Sequence, residues 1–410
     1  MSKSRTLLLV SFLEPWSMGS GVGAPSLFEM MRGYTQAGWH IHYVTASKRA
    51  LGGGSHEQDI GVTLEGVTVH RFDLPTPFLW LGARFQGKLD RLYLFPKYAA
   101  LAVQELLDTI SPTLIYAYEE GAVLAIDRVR SSRRFDCPVV HRFQGTILGS
   151  QFNHWPTRLR KFESWRALGK QANMYIMTDD GTMGDRALYN INCYVNCDNL
   201  FFKRNGIDLD IASVSVDREA TLAQFGVAPD EFTLLMVSRL AGWKRVDRGI
   251  DLIAALKNKC PNLRLLIVGD GECREQLERR SRELGLDEEV QFVGSQSRQT
   301  VAKLMNLCDI FLSLYDVSNC GNPLFEALLC GRAIVTLNNG TTSEVIQHRS
   351  NGILIEPNDN QALENAVCEL VDVPEFGTQL SRGALTWAAE NLYSWEARLQ
   401  AEIHWVDSKI

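Results

Sequence analysis

The chain repeats one local pattern almost from end to end: a short apolar run, a loop, then an amphipathic stretch. "TLLLVSF", "IHYVTA", "TLIYAY", "PVVHRF" and "MYIMT" are the apolar runs of the first half. "FTLLMVS", "LRLLIVG", "VQFVG", "IFLSL", "AIVTL" and "GILIE" are those of the second. Short, nearly continuous apolar runs suit strands buried on both faces, which requires helices on both sides of a parallel sheet. Between them, residues 247–257 place Ile250, Ile253, Ala254 and Leu256 on one helical side. Residues 274–284 and 299–307 read as helices in the same way. The pattern predicts an α/β fold: two doubly wound, Rossmann-like domains facing across a cleft. The turn signal Asn205-Gly206 puts the junction between an N-terminal domain, 1–204, and a C-terminal domain, 205–387. The closing "SWEARLQAEIHWV" is amphipathic and predicts a helix, within about 388–410, that packs back on the first domain.

Composition narrows the classes. A length of 410 residues fits two or three domains. The net charge of −6 argues against a general nucleic-acid binder. Nine cysteines, an odd and scattered set whose closest pair is Cys193 and Cys197, read as small buried apolar residues in a reducing compartment. In "MSKSRTLLLVSFLEPW", Glu14 ends the apolar run early, so this segment reads as a first strand rather than a leader. No apolar stretch reaches the length needed to span a bilayer. A cytoplasmic protein is expected.

Ligands of open α/β sheets bind outside the carboxyl ends of the strands. After the first strand comes "GSGVGAPSLFEM", where Gly19, Gly21 and Gly23 let backbone approach a ligand closely. Ser26 and Glu29 have capping-box spacing, predicting a helix from Leu27 whose free N–H groups would face an anion. A dinucleotide fingerprint fits poorly: the spacing is G-x-G-x-G, and Ser47 and Lys48, not an acid, follow the second strand. The Walker A pattern is absent. A plain structural turn is the alternative.

The second half carries the stronger signal. Arg239 sits where the strand "FTLLMVS" ends, and Lys244 lies in the same loop. Arginine as a fork and lysine as a point charge suit a diphosphate. In "YDVSNCGNPLFEALLCG", Gly321 and Asn322 form a close-approach turn, and Pro323 suits a helix start. The helix predicted from Pro323 to Leu329 would aim its positive end at a pyrophosphate, with Glu326 in its first turn positioned to accept ribose hydroxyls.

Arg239, Lys244, the loop before Pro323, and Glu326 resemble the donor site of retaining glycosyltransferases of family 4, which have the two-domain GT-B fold. "KRNGID", "LRLLIVGDGECREQLE", "VQFVGSQ" and the terminal "SWEARLQ" are similar to further segments of that family, in the same order. The resemblance implies that Arg239 and Lys244 stabilise the diphosphate and Glu326 holds the ribose, these three being the catalytic set. It implies that backbone around Gly321, Asn322, Pro323 and Leu324 holds phosphate and sugar. Val293 and Gly294 would contact the base, and Gly21 and Gly23 would approach the leaving phosphate. There are two departures. The family's Glu-x7-Glu pair becomes Ser318 and Glu326, leaving Ser318, Asn319 or Asp316 to meet the sugar hydroxyls. Gln144 stands where the family often has histidine and is assigned to the donor sugar or acceptor; His141, on the opposite side of the strand, is given no catalytic role.

The implied reaction moves a hexose-like unit from a nucleoside diphosphate sugar, UDP- or GDP-linked, to a hydroxyl acceptor with retention, in cell-surface polysaccharide or glycoconjugate synthesis. No cofactor and no metal are required, and Asp208 and Asp210 read as structural. Glu119 and Glu120 follow a strand and are assigned to the acceptor. The basic-aromatic segments "PFLWLGARFQGKLDRLYLFPKY" and "TRLRKFESWRALGK" suit either an anionic membrane surface and lipid-linked acceptor or ordinary helices covering the sheet. A nucleotide-sugar epimerase of similar shape and a catalytically inert nucleotide-sugar-binding partner are the competing readings.

Overall fold

The computed structural model describes residues 5–13, 25–47, 65–75, 86, 87, 89–317 and 319–410. The chain divides into two compact units, residues 1–205 with 395–410, and residues 206–394.

The first unit holds seven parallel strands: β1 (Arg5–Ser11), β2 (Trp39–Ala46), β3 (Val67–Phe72), β4 (Leu114–Tyr118), β5 (Val139–Phe143), β6 (Met174–Thr178) and β7 (Leu200–Lys203). Their order is β3-β2-β1-β4-β5-β6-β7. β4, β5 and β6 are buried at every residue, which explains their unbroken apolar sequence. β3 and β7 were not among the predicted strands. Both are sheet edges, and β3 has no fully buried residue, so neither needs an apolar run. Helices α1 (Pro25–Gln36), α2 (Phe95–Leu107), α3 (Glu120–Ser132), α4 (Trp155–Arg160) and α5 (Phe162–Leu168) accompany the sheet. One core joins Leu8, Val10 and Ile115 to Ala99, Val103 and Ile126; the other joins Leu7, Leu9 and Tyr116 to Leu27, Met30 and Tyr34.

The second unit has six parallel strands: β8 (Phe232–Val237), β9 (Leu263–Val268), β10 (Val290–Gly294), β11 (Ile310–Ser313), β12 (Ala333–Leu337) and β13 (Ile353–Ile355). All six match predicted runs. The order is β10-β9-β8-β11-β12-β13. Helices α6 (Val246–Leu256), α7 (Arg274–Glu283), α8 (Arg298–Leu307), α9 (Asn322–Leu329) and α10 (Pro374–Asn391) flank it.

The chain passes between units at 205/206 and again at 394/395. These two passages run beside each other: Ile207 pairs with Ser394, and its N–H donates to the Tyr393 carbonyl at 3.0 Å. The returning helix is α11 (Trp395–Asp407). It starts later than the expected 388, because α10 still belongs to the second unit. No described helix is long and apolar enough to cross a membrane. All nine cysteines are free; Cys193 and Cys197 are exposed, against the buried reading given to them.

Candidate active site

In the second sheet the strand order reverses between β8 and β11, the switch point where α/β sheets take ligands. The loop after β8 carries Arg239, and the loop after β11 leads into α9. Arg239 is exposed and forms no ion pair with a described residue. Its loop is clamped from β9's side: the Leu240 N–H donates to the Asp270 carbonyl at 2.9 Å, and the Cys273 N–H to the Leu240 carbonyl at 2.9 Å. Gly269 makes this possible. Its φ is +129°, and a Cβ there would stand 1.9 Å from the Ser238 carbonyl oxygen.

Tyr315 ties the switch point together. Its hydroxyl donates to the Val237 carbonyl at 3.1 Å, at the end of β8. Its ring lies 3.7 Å from the Lys244 Nζ, which also sits 4.0 Å from the Trp243 ring centroid. The Asp316 N–H donates to the Trp243 carbonyl at 3.0 Å, joining the two loops by backbone. Burial first, with the Glu326 charge adding, pushes the Tyr315 phenol up to about 12. Lys244, Tyr315 and Glu326 therefore share one neighbourhood beside the strand that delivers Arg239.

Glu326 is the fifth residue of α9, not in its first turn as predicted, because the helix begins at Asn322 with Gly321 as its cap. Burial pushes its carboxyl up to about 7; Arg298 opposes this and Asp208 adds to it. At the tip of α9, Pro323 has no N–H to give. The Leu324 and Phe325 N–H groups both turn back to the Gly321 carbonyl, at 3.0 and 3.4 Å. Of the four residues expected to offer amides, Pro323 has none and Leu324 uses its own within the turn, which leaves Gly321 and Asn322. Among the described residues, a Cβ on Gly321 would meet only the Pro323 Cδ at 3.7 Å, so none of them crowds the tip.

Other assigned residues have protein partners. Asp316 accepts ion pairs from Arg245 at 3.0 Å and Arg248 at 2.9 Å. Asn319 is fully buried: its amide oxygen accepts from the Ser313 hydroxyl and the Tyr315 N–H, and its amide nitrogen donates to Asn339 at 2.7 Å. The Asn319 side chain is occupied in building the loop, which corrects its reading as a sugar contact, whereas Asp316 is exposed and meets both arginines through Oδ1. Val293 and Gly294 end β10, two strands from β8. Gly294 has φ +74°, and its carbonyl accepts from the Gly269 N–H at 2.9 Å. Asp208 caps the short turn Leu209–Ser213 and pairs with Arg298 at 3.6 Å. Gly21, Gly23 and Ser318 lie outside the described residues.

In the first sheet the reversal falls between β1 and β4. There α1 begins at Pro25, not Leu27, and Ser26 is not a capping-box residue. Its hydroxyl pairs with the Tyr118 hydroxyl at 2.8 Å. Gln144, after β5, donates to the Ser26 hydroxyl at 2.8 Å and to Tyr118, and accepts from Thr178 at 3.3 Å. Its amide is fixed by the ends of β4 and β6 and by the start of α1. His141 is buried between Phe143 and Tyr175, and burial holds its imidazole down at about 3, neutral. Glu119 has φ +74°, and its N–H donates to the Arg142 carbonyl at 2.9 Å. Burial, then Glu120 beside it, hold its carboxyl well above the usual carboxylate range. Glu120 accepts from the Ser164 hydroxyl at 2.8 Å.

Asp180, which sequence reasoning missed, completes this acidic group: burial pushes it up to about 6, and it adds to the Glu119 shift. It packs against Gly145, where a Cβ would fall 2.1 Å from its Oδ2. The signal was present as "TDDG" directly after a buried strand.

Comparison with known proteins fits this geometry. Residues 217–387 match the family described as Glycosyl transferases group 1. The second unit of this chain is a glycosyl transferases group 1 domain. A GDP-mannose-dependent α-(1-6)-phosphatidylinositol monomannoside mannosyltransferase from Mycolicibacterium smegmatis is 26% identical over 200 residues, 47% of this chain and 52% of that one. The chain spans about half the length, or less, of the curated relatives it matches. Among solved structures, Anabaena HepE in complex with UDP and glucose is 20% identical with a TM-score of 0.73, covering 99% of this chain and all (100%) of that one. Sucrose-phosphate synthase from Thermosynechococcus elongatus is 17% identical with a TM-score of 0.71, covering 98% of each. The fold of a glycosyl transferases group 1 domain joined to a second α/β unit thus extends over the whole chain.

Proposed function

We propose that the chain is a retaining glycosyltransferase of the family 4 kind, transferring a sugar from a nucleoside diphosphate sugar to a hydroxyl acceptor. The observation that carries this reading is that the loops bearing Arg239 and Lys244 and the tip of α9 all lie at the switch point between β8 and β11. Charge develops on the departing diphosphate as the anomeric bond breaks, and fixed positive groups there lower the barrier. In this reading Arg239 and Lys244 take the phosphate oxygens, with the Gly321 and Asn322 amides at the α9 tip, and no metal ion is needed. Glu326, when ionised, accepts from the ribose hydroxyls. The acceptor hydroxyl attacks the face the diphosphate leaves, and the diphosphate helps take its proton.

Glu119 and Glu120, with Asp180, are read as acceptor-binding groups. The UDP bound by HepE and the GDP-mannose used by the mycobacterial relative support a nucleotide-sugar donor without choosing its base. The relative's phosphatidylinositol-linked acceptor supports a lipid-linked or glycan acceptor, peripheral membrane contact and a place in cell-surface glycoconjugate synthesis.

The test is a panel of UDP-, GDP- and ADP-sugars, with binding and released nucleotide measured. Transfer with one donor is expected. Arg239→Ala should slow turnover about a hundredfold, as loss of one preorganised donor does. Binding without release would favour an inert binding partner. A changed sugar without an acceptor would favour an epimerase.

A further inference from the structure

We propose that α4 and the start of α5 form a knuckle that docks on an anionic lipid bilayer. Trp155 and Leu159, one helical turn apart, are 67% and 63% exposed, and Phe162 beside them is 46% exposed. A lone exposed apolar side chain is ordinary, but neighbouring ones rimmed by polar groups mark an interaction surface. Cations surround them: Arg158, Arg160, Lys161 and Arg166. Among the described residues none of these four has a carboxylate ion-pair partner, whereas Arg274 and Arg280, both on α7, are paired with Glu278 and Asp251 at 2.7 and 2.6 Å. Arg158 instead lies over the Phe152 and Trp165 rings, and Arg166 over Phe162. Glu163 is the one carboxylate among residues 155–166 and feels Lys161 and Arg91, so the knuckle keeps a net positive charge in a chain that carries −6.

The occupant follows from shape and charge. The three apolar side chains expose a few hundred Å² on a six-residue helix and its neighbour, below the roughly 800 Å² per partner of a stable protein interface. A small protruding wedge ringed by cations suits insertion at the headgroup boundary, with the apolar tips below and the cations at the phosphates. Tryptophan, apolar in body and polar at its N–H, sits well at that depth. This surface gives the peripheral membrane contact proposed above its place and rests on that reading, while vesicle binding tests it apart from sugar transfer.

The full chain is sedimented with vesicles of phosphatidylglycerol and phosphatidylcholine, and with vesicles of phosphatidylcholine alone. Binding to the anionic vesicles only, weakened by 0.5 M salt, is expected (that concentration shortens the Debye length to about 4 Å). Arg160→Gln with Lys161→Gln should weaken it about 25-fold, at about fivefold per cation. Trp155→Ser with Leu159→Ser should weaken it as well, while melting temperature and nucleotide-sugar binding stay unchanged, because both residues are on the surface. Absence of binding to anionic vesicles would overturn the proposal. So would binding that survives the Trp155/Leu159 change, or a dimer that this change dissolves.

Discussion

Glu326 is a carboxyl group placed where ionisation is resisted, and that has a measurable sign. Its folded value, about 7, lies above the ordinary 4.5. The neutral form is therefore favoured by folding: this contribution is complete below about pH 4.5 and is lost as pH rises through 7. Glu326→Gln, neutral at every pH, should match the wild type near pH 4.5 and exceed it by about 2–3 kcal/mol at pH 8 in urea unfolding. Donor binding should move the other way, weakening in the variant, because an ionised acceptor for the ribose is gone. Equal unfolding curves at both pH values would remove the claim that the carboxyl is enclosed. Trp243 offers a second residue-scale expectation. It is half exposed, yet its ring lies within 4.0 Å of the Lys244 Nζ. A cation held over a ring at a partly exposed site is stabilised by about 0.5–1 kcal/mol. Trp243→Ala should then raise the donor KM about two- to fivefold with kcat less affected, and Trp243→Phe should recover most of it. Identical KM values in all three proteins would mean the ring does not position the ammonium.

Among the elements, loops rather than strands set the site, and one glycine decides how closely two of them meet. Gly269→Ala puts a methyl group into the Ser238 carbonyl and forces a φ of +129° on an alanine. A cost of about 3 kcal/mol is expected, together with a displaced Arg239 loop and lost turnover. Thermal melting and released nucleotide read the two effects separately; an alanine variant as stable and active as the wild type would mean that the loops are not clamped. This scale also shows what the sequence made legible. Strands buried on both faces announce themselves as apolar runs, so all six strands of the second sheet were readable. β3 and β7 were not, because edge strands need no such run. Arg239 was legible because a cation directly after a buried strand has few structural uses. Glu326 was set one residue too early in its helix, since Pro323 is tolerated at the second helical position as well as the first. Asn319 misled for a physical reason: an amide in a loop looks the same whether it faces a ligand or, as here, three protein partners.

At the scale of the molecule, the chain ends by returning to the unit where it began, and what receives it is a buried charge network that no local pattern discloses. Glu402 on α11 is fully buried. It accepts from Arg142 on β5 at 2.7 Å, from Arg398 at 2.8 Å and from the Tyr116 hydroxyl at 2.8 Å. Arg142 and Glu402 are 260 positions apart, so a lone arginine in "PVVHRF" gave no hint of its partner. Burial alone would raise the Glu402 carboxyl, but Arg142 and then Arg398 outweigh it and hold it below the ordinary value. The sign is therefore opposite to that of Glu326: the contribution is present above about pH 4.5 and is lost as pH falls through the depressed value. Two guanidinium groups share one carboxylate, and Arg142 Nε and Arg398 Nη2 have no hydrogen-bond partner among the described residues. Removing the carboxylate leaves two buried cations uncompensated. Glu402→Gln should cost about 3–5 kcal/mol at pH 7. Replacing all three residues together, Arg142→Met, Glu402→Leu and Arg398→Met, should cost far less, because the desolvation penalty disappears with the charges. Urea unfolding of the single and triple variants at pH 7 distinguishes the cases. If the triple variant is less stable than Glu402→Gln, α11 is held by its ion pairs. If it is more stable, apolar packing of Leu399, Ile403 and Val406 holds the helix, and the charges fix only where it docks.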